Sequence, residues 1–262
     1  MQMDKTLNFS KRNLKEVLRD PIPYIFCLGF PIAMLVLFNI INKYTGGNTP
    51  TFELPALLPG IIMFSYTFVM LTMALLVSKD RQTFFLKRLY YSPMKPHDFI
   101  LGYALVGIIV GVLQNCVCVL SAFIISLIAQ VEFLSLGQIL LLCVSQLPLL
   151  ITFVFLGVLF GTIFNDKSAP GISSVVISHT AILGGCWMPL ESMGGFESFC
   201  RCLPFYPSVY LGRIITGAAN VFGKTYAFDS VAAWGLLPIA ICLIASVLLS
   251  FLIFKKNMVS DD

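Results

Sequence analysis

Residues 79–102 read KDRQTFFLKRLYYSPMKPHDFILG, a short basic stretch between two long apolar runs. Lys79, Arg81, Lys87, Arg88 and Lys95 would each cost roughly 2.5–3.5 kcal/mol at the centre of a bilayer. The stretch therefore lies outside lipid, and its flanks are free to lie inside. From Asp80 to Tyr91 the pattern predicts a helix. Phe85, Leu86, Leu89 and Tyr90 share one arc at about 100° per residue. Asp80, Arg81, Lys87 and Arg88 occupy the other, with Phe84 set among the charges. Ser92-Pro93 stops the helix and Pro96 keeps it from resuming. Leu101-Gly102 opens the next apolar run. The reading is a surface helix beneath a membrane domain, offering a basic face and one aromatic knob to something soluble.

The whole composition agrees. Of 262 residues 58% are hydrophobic and 11% charged, where a soluble domain carries about 25% charged residues. Mean hydropathy is +0.89. The apolar runs are long and unbroken, which excludes a β-barrel pattern of short alternating segments. The expected fold class is an all-α integral membrane protein. Six spans are expected, at about 22–41, 54–78, 99–130, 136–164, 168–188 and 231–254. The third exceeds the roughly 20 residues needed to cross, so it tilts or protrudes. Pro31, Pro148 and Pro238 fall inside spans and predict kinks. The first run begins at Pro21 after a charged stretch and is long enough to span, so no cleavable leader is expected.

Before the spans, TLNFSKRNLKEVLRD (6–20) reads as an amphipathic interfacial helix. Leu7, Leu14, Val17 and Leu18 form a narrow apolar arc, and Lys11, Arg12, Lys15, Glu16 and Arg19 lie away from it. Such a helix binds anionic lipid, braces the neighbouring spans, or does both. The expected organisation is thus an N-terminal helix (1–20) and a six-span domain (21–262). That domain carries a basic segment at 79–98 and an outer segment at 184–217. Thirteen of the 17 Lys and Arg fall on the side of the N-terminal helix, 79–98, Lys167, Lys255 and Lys256. By the positive-inside rule that side, with both termini, is cytoplasmic.

The outer segment 184–217 is rich in aromatics, Gly and Pro. Phe196–Leu203 and Pro207–Ile215 are too short to span and suit re-entrant or interfacial helices. Trp187, Phe205, Tyr206 and Tyr210 sit at headgroup level, either as a plain aromatic belt or as a functional cap.

The spans hold one ionisable candidate, His179, which reads best as bonded to a neighbouring carbonyl. Ion-coupled carriers mark their route with buried charges, and an intramembrane enzyme needs a base beside a nucleophile or carboxylate. Neither pattern is present. Residues 217–225, GAANVFGKT, imitate a phosphate loop, but five residues rather than four separate Gly217 from Gly223 and no buried strand precedes them. No nucleotide site is expected in this chain. Cys27, Cys116, Cys118, Cys143 and Cys242 fall in spans. Cys186, Cys200 and Cys202 lie outside, as free thiols or with Cys186 paired to one of the others. Cys-x-Cys alone makes no metal site. His97 is expected in solvent.

Three stretches carry a family likeness. In the first, Arg81, Thr83, Leu86, Lys87, Arg88, Leu89, Ser92, Pro93, Leu101 and Gly102 match a pattern of basic residue, Thr, Leu, basic residue, Leu, then Ser-Pro, then a Leu-Gly-Lys entry to span three. Gln82 stands where Gly is common and Tyr103 where Lys is common. In the second, Gly184, Gly185, Pro189, Glu191, Pro204, Pro207 and Arg213 match an outer Gly-Gly-x-x-x-Pro-x-Glu stretch with its proline cluster and trailing Arg. The third is the amphipathic start ending Arg19-Asp20-Pro21. In these the chain resembles the membrane permease subunits of ATP-binding-cassette exporters of the second class (ABC-2 type). The resemblance implies a bacterial multi-pass protein of the cell membrane. It implies a separate cytoplasmic ABC ATPase that binds ATP and Mg, a second permease copy or paralogue, and no nucleic acid. Residues 80–91 would be the coupling helix, contacting the ATPase through Arg81, Phe84, Lys87, Arg88, Leu89, Ser92 and Pro93. The extracellular gate would comprise Trp187, Pro189, Glu191, Pro204, Pro207 and Arg213. Hydrophobic or amphipathic cargo, such as a drug or peptide, would leave through the pair. A stand-alone channel or carrier, or a sensor or immunity subunit that moves nothing, are the alternatives.

Overall fold

A computed structural model describes residues 2–21, 24–47, 49–83 and 95–259. Among these residues the only extended pairing is an isolated bridge between Ala219 and Thr225; the rest of the ordered backbone is helical. Helix α1 spans Gln2–Arg19. A π-helical turn, Tyr24–Gly29, leads into α2, Phe30–Tyr44. Then come α3, Leu54–Gln82, α4, Pro96–Ala129, and α5, Leu136–Ile163. The shorter α6, Ala169–Leu183, is followed by α7, Gly195–Arg201, α8, Phe205–Thr216, and α9, Ser230–Val259.

Local chemistry sets the boundaries. At the start of α5, Ser135 and Gln138 form a capping box, in which the Gln138 side chain accepts from the Ser135 N–H at 2.9 Å. At the start of α4, Asp98 accepts from the Lys95 N–H at 3.0 Å. Pro31 lies inside the continuous helix Ile25–Tyr44, just after its π-helical turn, and prolines and π-bulges are where helices bend. Pro148 and Pro238 also sit inside helices, and so does Pro59 in α3.

Among the described residues five helices are long and apolar enough to cross a bilayer, α2 together with the π-helical turn before it as Ile25–Tyr44. The sixth expected span is α6, whose 15 residues reach only about 22 Å at 1.5 Å per residue. It runs beside α3 from the level of Ser78, which donates to Asp166 at 2.9 Å, to the level of Gly60. There the Cys186 backbone lies where a Gly60 Cβ would be, 2.4 Å from its carbonyl oxygen. Helices α7 and α8, of 7 and 12 residues, follow at that end and are as short as expected. Near the end of α9, Asn257 donates to the Thr162 carbonyl at 3.2 Å. Since α1 bonds to Gly102 and Asp80, both terminal helices finish at the same end of the bundle.

Helix α3 is the axle. Its apolar window is 89% buried, against 17% for α2 and for α9. It packs on α4, α5, α6 and α8. The crossing with α5 is set by Gly157 and Gly161, which meet the Met70 and Ala74 carbonyls directly. In lipid, close backbone approach through small residues takes the place of hydrophobic burial as the source of helix association. A methyl at Gly157 would stand 2.5 Å from the Met70 oxygen and 3.0 Å from its Cα, atoms that cannot swing aside. Gly157→Ala should lower stability in detergent by about 1–3 kcal/mol. Gly137→Ala, which meets nothing within 4 Å, should leave the melting curve unchanged.

Candidate functional site

Two polar clusters sit at opposite ends of α3. At the first, Asp80 is buried in the last turn of the helix. Arg12 grips it with two nitrogens, at 2.7 and 2.9 Å, and the Tyr103 hydroxyl donates to it at 2.7 Å. Glu16 bridges Arg12 at 2.8 Å and Lys79 at 2.9 Å. Burial alone would lower the Arg12 pKa. The Asp80 hydrogen bonds and charge, with Glu16 behind them, outweigh that and hold it above its ordinary value. Below these charges Phe9 stands edge-on to Phe99 and Tyr103, at 5.3 and 5.0 Å. Gly102 leaves the room for its ring, and Ser10 donates to the Gly102 carbonyl at 3.1 Å. The buried strip of α1 is therefore Phe9, Ser10, Asn13 and Val17. Of the apolar arc expected from sequence only Val17 is buried, while Leu7 and Leu18 are 47% and 49% exposed. The helix braces α3 and α4.

At the opposite end, Arg213 of α8 is 0% exposed. Its Nε donates to the Ala56 carbonyl of α3 at 3.1 Å, and Nη2 donates to the Gly185 carbonyl at 2.8 Å. Nη1 reaches the Tyr226 hydroxyl at 3.4 Å and Glu191 at 3.5 Å. Tyr226 in turn donates a short hydrogen bond to Glu191. Tyr206 donates to Glu197 at 3.1 Å and to Glu191 at 3.4 Å. Burial pushes the Tyr226 phenol well up; Arg213 opposes this and Glu191 adds to it, so Tyr226 stays a neutral donor. The Gly185 carbonyl is aimed by a left-handed turn, φ +59°, that glycine adopts without strain. Thr216 adds a bond to the Pro55 carbonyl at 2.7 Å. Within the bundle Gln146 and Ser208 bond reciprocally, at 2.9 and 2.7 Å, tying α8 to α5.

Of the residues expected at a gate, Glu191 and Arg213 meet in this cluster, and the others lie on the segments around it. Trp187 packs on Phe38 and Phe64, at 5.5 and 5.1 Å. Pro189 introduces the short turn carrying Glu191. Pro204 precedes α8, and Pro207 fills the space at Gly235 of α9. Residues 217–225 form a loop, and the next helix begins only at Ser230, so the phosphate-loop imitation has no helix behind it.

Residues 6–216 match the ABC-2 type transporter family. The chain belongs to that family. It is also 27% identical over 198 residues, covering 74% of this chain and 78% of the relative, to the Bacillus subtilis (strain 168) protein named "Putative transport permease YvfS". As an ABC-2 type protein it is a membrane component of a transporter.

Of the expected coupling residues, Arg81 lies in the last turn of α3, which continues as one helix to Gln82 instead of breaking after Ser78. Phe84, Lys87, Arg88, Leu89, Ser92 and Pro93 lie outside the described residues. His179 is exposed, with Nδ1 donating to the Val175 carbonyl at 2.7 Å, and His97 pairs with Asp98 at 3.2 Å. All eight cysteines are free. The Asp80 clamp and Tyr226 were missed by sequence reasoning. Asp80 had left a trace, as an acid inside a basic stretch; Tyr226 left none.

Removing one member of a buried ion pair strands the other. Glu191→Ala should therefore cost about 3 kcal/mol in detergent melts. Arg201→Ala breaks an exposed pair with Glu197 (2.7 Å) and should cost under about 1 kcal/mol. In a double-mutant cycle, Arg12→Met and Asp80→Asn should be non-additive by more than about 1 kcal/mol.

Proposed function

We propose that this chain is the permease subunit of an ATP-driven exporter, moving a hydrophobic or amphipathic substrate out of the cytoplasm. A separate ABC ATPase binds ATP and Mg and supplies the energy; this chain contributes no nucleotide site. One observation carries the reading: a single buried helix, α3, is bonded at one end to the Arg213 cluster and at the other to the Asp80 clamp, four residues before Phe84 in the sequence. A push on that end of the helix has a stiff, enclosed path to the opposite end.

In this reading the Asp80 end faces the cytoplasm, in keeping with the 13 Lys and Arg on that side, and both termini lie there. Phe84 seats in the ATPase as the knob, and Arg81, Lys87 and Arg88 form the rim. Two permeases, identical or paralogous, face each other across the substrate path. The Glu191–Arg213 assembly gates its outer end.

The test begins with affinity capture from native membranes in mild detergent. A soluble ATPase should accompany the chain in stoichiometric amount, and recovery of the chain with itself alone would reject the exporter reading. In the reconstituted complex, Phe84→Ala should reduce permease-stimulated ATP hydrolysis to that of the ATPase by itself. Unchanged stimulation would remove Phe84 from the coupling role.

A further inference from the structure

The exposed side of α1 is divided into two strips. Leu7 and Leu18 form an apolar strip, each about half exposed. Next to it run Lys11, Lys15 and Arg19, all exposed. None of the three has an acidic partner among the described residues, whereas Arg12 and Lys79 are committed to Asp80 and Glu16. The basic strip borders an open cleft of about 760 Å³ at the junction of α1, Pro21 and Lys79. Five cations (Lys11, Arg12, Lys15, Arg19 and Lys79) and two carboxylates (Glu16 and Asp20) line it. The cleft thus carries a net positive charge.

The depth of this surface is fixed by the clamp. Phe68 lies midway along α3, and Asp80 is twelve residues beyond it, about 18 Å along the axis. The hydrocarbon core extends about 15 Å from the bilayer centre and the headgroup layer to about 20–22 Å. With Phe68 at the bilayer centre, the bond from Arg12 to Asp80 would hold α1 at the headgroup layer. Its apolar strip can reach the acyl boundary and its lysines the phosphates, the arrangement of an interfacial helix.

We propose that Lys11, Lys15 and Arg19 form a binding site for the phosphate headgroup of an anionic phospholipid, with Leu7 and Leu18 anchoring beside its acyl chains. The site needs no ATPase and stands apart from the transport reading. Three basic residues near an anionic surface together favour it on the order of a hundredfold, and the cleft they line gives one headgroup a place to sit. Occupancy would steady α1, and through Arg12 the last turn of α3.

The full-length chain, purified in mild detergent, can be titrated with phosphatidylglycerol or phosphatidylcholine and the retained lipid counted by native mass spectrometry. The wild type should retain phosphatidylglycerol preferentially. The variant K11Q/K15Q/R19Q should weaken that retention on the order of a hundredfold, with an unchanged melting temperature because the clamp residues are intact. K255Q/K256Q, which removes two exposed cations at the end of α9, should bind as the wild type does. Wild-type binding by the triple variant, or equal loss in both variants, would overturn the site. Displacement by inorganic phosphate at comparable concentration would assign it to a free anion and overturn the lipid reading.

Discussion

A helix enclosed by other helices inside a bilayer meets neither water nor deformable lipid. Everything that touches α3 must fit it atom against atom, and each of its polar groups must be met by a neighbour. Hydrophobic burial supplies little of the driving force, since lipid tails are as apolar as leucine. What remains is close packing and hydrogen bonding. The Gly157 and Gly161 contacts, the Cys186 backbone on Gly60 and the Gly212 contact with Pro59 all answer to that constraint. So do the side chains of Thr216 and Arg213, which bond the Pro55 and Ala56 carbonyls in the first turn of α3. Pro59 leaves no N–H for the Pro55 carbonyl, and Thr216 takes that vacant place.

The same constraint explains why polar chemistry gathers at the two ends. A carboxylate can be buried to 1% exposure only beside strong donors, and Asp80 has two guanidinium nitrogens and a phenol. Lys79 and Asp80 can therefore extend the span helix past Ser78, where a chain without the clamp would turn out into solvent. At the other end Arg213 has the planar fork needed to reach two carbonyls, a hydroxyl and a carboxylate at once. Lysine, a point charge on a flexible stem, would not replace it.

Hydropathy revealed the helical membrane class, the long spans and the short helices before the last span, because lipid demands long apolar runs whatever their packing. It could not tell a protein-facing side chain from a lipid-facing one, since both are apolar. That is why the apolar arc at Leu7 and Leu18 could be read from the sequence and the strip that packs on the bundle, Phe9, Ser10 and Asn13, could not. The short reach of α6 was hidden for a related reason. The apolar run continues through Gly184–Met188, but the helix stops at Leu183 and the chain turns at Gly185. Glu191 and Arg213 were legible only through the resemblance of the outer stretch to the family's motif, and their shared dependence on Tyr226 requires three dimensions.

A buried ion pair is a weak way to hold a protein together, because desolvating two charges consumes most of what their attraction returns. It is an effective way to make two arrangements distinct. Arg213 cannot shift slightly: a displacement of an ångström forfeits the bonds to Ala56 and Gly185 together and leaves a fully buried cation with only Tyr226 and Glu191. If the outer end opens in the proposed cycle, it must do so in one step, with water or a substrate group replacing every acceptor at once. The ATPase would then have to move α3 as a unit, since a gradual strain would meet resistance at Ala56 long before the outer cluster yielded. The near-complete enclosure of α3 between its two clamps is what such a step requires.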